Sequence, residues 1–173
     1  MADWYMVTVV GQDKPGIVAG LSQALYDGGW SLGETSMARL GGNFTIMMMV
    51  GGEGSAADLS ELMQPAATRL GLDVHVDRIE AELHRHPVPN VQLRVFGADR
   101  AGIVADVTSM LADAGLDILD LNSEISGTEA EPVYVMVLDG FAEGGVDSLE
   151  AAVHELNQNG LKVDLEAIDT LLG

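Results

Sequence analysis

Fourteen of the 173 residues constrain the chain more than the rest. Asp13-Lys14-Pro15-Gly16-Ile17-Val18-Ala19 returns as Asp99-Arg100-Ala101-Gly102-Ile103-Val104-Ala105, 86 residues later. The match extends at the same offset. Gly11 pairs with Gly97, Leu25 with Leu111, Asp27 with Asp113, and Gly29 with Gly115. A repeat of this length, flanked by an apolar run and a helical pattern, is one structural unit used twice.

The first copy reads in order. Trp4 to Val10 is rich in aromatic and β-branched residues, as strands are. Ile17, Leu21, Ala24 and Leu25 recur at helical spacing. This predicts a helix that opens at Pro15-Gly16, with Pro15 at a first helical position, and ends at Gly28-Gly29. The second copy predicts a helix opening at Ala101-Gly102 in the same way. Trp30 to Leu40 is a second extended segment, and Gly41-Gly42 a hairpin turn into Asn43 to Val50. Ser55 with Asp58 marks a helix start, and Pro65 is expected to break or restart that helix. Leu72, Val74 and Val76 alternate with Asp73, His75 and Asp77, a half-buried strand.

The second half repeats this order from Val91 to Leu165, with a longer hairpin loop at Gly127 to Pro132. Pro87 and Pro89 punctuate the stretch between the halves. The expected division is 1–80, a linker at 81–90, and 91–173. The expected fold is α+β: two ferredoxin-like βαββαβ domains, each a four-stranded antiparallel sheet with two helices on one face. Met47, Met49, Tyr134, Met136 and Leu138 are expected on sheet faces that lack helices, where they need a cover. That expectation motivates a homodimer.

Eight Lys and Arg stand against 27 Asp and Glu, a formal charge of −19. Phosphate-backbone binding needs clustered cations, so direct nucleic-acid binding is not expected. The acidity reads either as solubility through self-repulsion or as adaptation to a salt-rich cytoplasm. No apolar stretch approaches a membrane span, and the start lacks the basic and apolar regions of a signal peptide. A soluble cytoplasmic protein is the expectation. With no cysteine, there is no thiolate chemistry. His84 and His86 give two ligands, too few for a closed metal site. No triad, phosphate loop or dinucleotide fingerprint occurs. No catalytic role, cofactor or metal is assigned.

The segments Gly11 to Val18 and Arg39-Leu40-Gly41-Gly42-Asn43-Phe44-Thr45-Ile46-Met47 carry a resemblance. The pattern of strand, D-x-P-G-I-V-A, helix, Gly-Gly, strand, hairpin and strand resembles an ACT domain. The whole chain resembles two in tandem, with similarity to the glycine cleavage system transcriptional repressor group. That resemblance implies a regulatory module, not an enzyme. It implies a small amino acid, glycine or serine, bound between paired domains near the loop from first strand to first helix. It also implies control of transcription through a DNA-binding activator. The implied ligand-binding residues are Asp13, Pro15, Gly16 and Ile17, with Asp99, Gly102 and Ile103 in the second copy. The second copy has Ala101 in place of Pro. Ser31 and Asp117 stand where many ACT domains carry Asn.

A helix start offers unpaired N–H groups and partial positive charge to a carboxylate, and Asp13 or Asp99 offers an acceptor to an ammonium. The competing account is that both aspartates only cap their helices and both glycines only allow tight packing. The alternative function is accordingly a ligand-free interaction module with a vestigial site. Replacing Gly16 by a branched residue is expected to block a ligand while sparing the helix.

Overall fold

The computed structural model describes residues 3–79, 87–98, 100–128 and 132–168. The chain divides into two compact units between residues 83 and 84. The expected linker falls largely outside the described residues, as do His84, His86 and the middle of the second hairpin loop.

In the first unit the order is β1 (Asp3–Gln12), α1 (Ile17–Asp27), β2 (Ser31–Leu40), β3 (Asn43–Gly52), α2 (Ala56–Leu70) and β4 (Leu72–Ile79). The sheet order is β2-β3-β1-β4, with every neighbouring pair antiparallel. The second unit repeats it as β5 (Val91–Ala98), α3 (Ile103–Asp113), β6 (Leu116–Gly127), β7 (Pro132–Ala142), α4 (Glu150–Gln158) and β8 (Lys162–Ala167), in order β6-β7-β5-β8. A short 3-10 turn, Gly145–Ser148, precedes α4 and has no counterpart in the sequence reading. Both units are thus ferredoxin-like α+β domains.

Burial explains the layering. Val7, Val9, Ile46 and Met48 alternate inward from β1 and β3, and Ile17, Leu21 and Leu25 meet them from α1. Leu59 and Met63 of α2 complete that core. Burying each such side chain contributes about 1.5–3 kcal/mol. α2 opens on a capping box: Ser55 accepts from the Asp58 backbone, and Asp58 accepts from the Ser55 backbone N–H at 2.7 Å. Pro65 does not break α2, which runs on to Leu70. The carbonyl of Glu61 that loses its partner is on the exposed side, where water can bond it. Met63, Ala66 and Ala67 hold the core side.

One expectation about faces is overturned. Residues opposite one another across an antiparallel pair share a face. Val95 lies opposite Met136, Leu93 opposite Leu138 and Gly97 opposite Tyr134. All three β7 residues therefore face α3 and α4; Met136 and Leu138 are fully buried there, with Tyr134 packed against them. It is Val133, Val135 and Val137 that occupy the other face. β7 is apolar on both sides, so alternation alone could not orient it. Met47 and Met49 do lie on the helix-free face, opposite Thr8 and Met6.

Candidate functional site

The β1–α1 loop carries four of the expected site residues. The helix begins at Ile17, so Pro15 lies outside it rather than at its first position. Gly16 is the N-cap residue, with φ 88° and ψ 1°. This left-handed conformation costs an L-residue about 1–2 kcal/mol and glycine nothing comparable. A branched residue at Gly16 would therefore strain the helix start, contrary to the sequence expectation. A Cβ built on Gly16 meets nothing within 4 Å, so packing is not what selects glycine here. Ile17 is buried in the core; only its backbone can serve a ligand at the loop.

No side chain caps α1. Asp13 has another partner: its carboxylate lies 2.5 Å from the guanidinium of Arg39 on β2. Its own N–H donates to the Gly42 carbonyl at 3.0 Å, tying the loop to the β2–β3 hairpin. Lys14 reaches the Leu70 carbonyl at 3.5 Å. An uncapped helix start thus opens to solvent beside a carboxylate and a guanidinium. Such an arrangement can hold a carboxylate on backbone N–H groups or on Arg39. An ammonium can sit on Asp13.

Arg39 was not among the expected site residues. The signal was in the sequence: the Gly41-Gly42 turn sets the hairpin register, placing Arg39 opposite Phe44, which in turn pairs with Gly11 near the end of β1.

The second loop is built alike and furnished differently. Gly102 is again an N-cap residue at φ 87° with no side-chain cap, and Ile103 is again buried. Asp99 lies outside the described residues. Arg100 donates to Asp106, 2.8 Å away. Gly11 lies opposite Phe44 and Gly97 opposite Tyr134; Arg39 faces the first and Ile125 the second. Ile125, 63% exposed, therefore stands where the first unit has its arginine.

Ser31 begins β2 and Asp117 is the second residue of β6, at the far ends of their strands from these loops. Ser31 instead lines a glycine-walled cleft of about 510 Å3 with Trp4, Gly28, Gly29, Gly51, Gly52 and Glu53. Glycine is needed there: a Cβ on Gly52 would fall 2.4 Å from the Trp30 indole, and one on Gly51 3.1 Å from Trp4. Among the described residues no group of three or more His, Cys, Asp or Glu could hold a metal ion. No helix there is long and apolar enough to cross a membrane.

Residues 5–77 and residues 91–168 each match the ACT domain. The glycine cleavage system transcriptional repressor of Escherichia coli K12 is 28% identical over 130 residues, covering 74% of this chain and 68% of that protein. A UPF0237 protein of Methanopyrus kandleri is 35% identical over 86 residues, 48% of this chain and 96% of its own. A crystal structure of an unknown protein from Galdieria sulphuraria superposes with a TM-score of 0.76 at 25% identity, covering 97% of this chain and 99% of that one. ACT domains are regulatory, non-catalytic ligand-binding modules, and the two matches together span most of the sequence: the chain belongs to the ACT-domain family, with two such domains in tandem.

Proposed function

We propose that this protein is a non-enzymatic amino-acid sensor whose first domain binds a small amino acid at the Gly16 helix start. The observation that carries this is the uncapped, open start of α1 with the Asp13–Arg39 ion pair beside it. An amino-acid zwitterion presents the two charges complementary to that pair. Its carboxylate goes to Arg39 and the backbone N–H groups, its ammonium to Asp13. Glycine and serine are the first candidates, because a related protein is named a glycine cleavage system repressor.

The readout is control of transcription through a DNA-binding activator in the cytoplasm. The charge of −19 favours a protein partner over direct contact with phosphates. Residues 1–80 and 91–173 act as separate domains joined by 81–90. A homodimer follows from exposed edges: β2 and β6 are the outer strands of their sheets, and all ten residues of β2 are exposed. Within one domain the β1–α1 loop and Ser31 lie at opposite ends of the sheet, so a site using both needs a second domain.

Calorimetric titration with the twenty common amino acids tests the reading. Glycine or serine should bind, acetate and methylamine should not, and Asp13→Asn or Arg39→Gln should weaken binding about tenfold or more. Failure of all twenty would favour an interaction module with a vestigial site. The ion pair that already satisfies Asp13 supports that second reading.

A further inference from the structure

The two domains differ where their helices meet. In the first, α1 ends at Gly28, and a Cβ there would fall 2.3 Å from Leu62 Cδ2. Leu62 of α2 thus fills the seam between the helices. The repeat shows what replaces it. Val9 lies opposite Val74 and Val95 opposite Val163, so Val74 and Val163 are equivalent. Each is preceded three positions earlier by a glycine of positive φ, Gly71 at 72° and Gly160 at 85°. Counting back along the helices sets Met63 against Ala152 and Leu62 against Ala151. The 86-residue offset sets Gly28 against Ala114, the C-cap residue of α3. The leucine is gone, and alanines stand on both sides.

What remains is a groove of about 490 Å3 between α3 and α4. Met110, Ala114, Ala151 and Ala152 line it with Ser109 and the carboxylates Asp106, Asp113 and Glu155. No cation lines it; Arg100 engages Asp106 from outside. An aliphatic groove flanked by carboxylates has a definite complement.

We propose that the α3–α4 groove docks a basic amphipathic helix of a partner protein, with a leucine-type side chain in the place that Leu62 takes in the first domain. Two features fix that occupant. The first domain shows an aliphatic γ-branched side chain seated on the equivalent helix pair. The flanking carboxylates select Lys or Arg on either side of the anchor, three or four positions away along a helix. The groove lies wholly within the second domain and is independent of the amino-acid site.

The test uses the full chain and a labelled helix-forming peptide of about fifteen residues, with leucines at i, i+3, i+4 and i+7 and lysines between them. Fluorescence anisotropy at physiological salt should give binding about tenfold or more tighter than for a peptide with serine in place of leucine, or with glutamate in place of lysine. Ala151→Leu supplies the missing side chain and should weaken binding at least about tenfold. Asp113→Asn with Glu155→Gln should weaken it several-fold and flatten its salt dependence. These two residues are exposed, so this variant serves even if Ala151→Leu does not fold. Equal binding of the leucine and serine peptides would overturn the proposal, because charge alone would then explain it. So would unchanged binding by Ala151→Leu and by the double variant. Loss of a dimer mass in Ala151→Leu would assign the groove to a second copy and overturn it as well.

Discussion

Gly16→Ala isolates the cost of backbone conformation. At φ 88° the new residue sits in the left-handed region, while its Cβ has nothing within 4 Å. No packing term enters, so the loss is the strain alone, about 1–2 kcal/mol. For a domain of this size that is a fall in Tm of about 4–15 °C. Gly16→Asn should lose less, because asparagine tolerates this region. Gly16→Val should lose more, because β-branched residues tolerate it least. Gly102→Ala, at φ 87° with the same open space, should match Gly16→Ala. Gly28→Ala is the contrast. Its φ of −79° carries no strain, yet its Cβ falls on Leu62, so overpacking should cost about 1–3 kcal/mol. Leu62→Ala in the same chain should relieve part of that loss, giving a favourable coupling, since it recreates the alanine pair of the second domain. Urea unfolding followed by circular dichroism measures all of these. A Gly16→Ala variant within about 0.5 kcal/mol of wild type would refute the strain argument. An asparagine variant weaker than the alanine one would refute it too.

The capping box gives a signed pH effect. The Ser55 backbone N–H, and then its hydroxyl, hold the Asp58 carboxyl below its ordinary value of 3.8. A folded-state value below the unfolded one means the contribution is present above the unfolded value and is lost as pH falls through the folded one. The Tm gap between wild type and Asp58→Asn should be widest near neutrality and shrink below about pH 4; a constant gap would count against the box. With a charge of −19, self-repulsion should ease with salt. Tm should rise by several degrees from about 0.02 to 1 M KCl, and a flat response would leave acidity as a solubility device only. Light scattering should give twice the chain mass at micromolar concentration, and a monomer mass throughout that range would remove the edge-strand argument for dimers.

What the sequence made legible was governed by periodicity, and what it hid was governed by register. The repeat and the two periods, 3.6 and 2, were enough for eight strands, four helices and the outline of both sheets. They were not enough to orient β7, because Tyr134, Met136 and Leu138 alternate with three valines and either set is a credible core face. Only pairing with β5 decides it. The same limit hid Arg39. Its role depends on lying across β3 from the end of β1, a relation between residues far apart in the chain. Asp13 illustrates the converse. Local rules make an aspartate before a helix a capping residue, but α1 takes the left-handed Gly16 as its N-cap, three residues beyond Asp13, and an arginine from β2 claims the carboxylate. The repeat then supplies a control that neither copy gives alone. With strand order and pairing repeated, Leu62 against Ala151 and Arg39 against Ile125 are places where the copies diverge in chemistry. The first domain keeps its helix seam filled and Arg39 beside its loop; the second leaves its seam open and carries Ile125 in the place of that arginine. Two domains of one fold thus present two different surfaces, one with an ion pair beside an open helix start and one with an apolar groove between its helices.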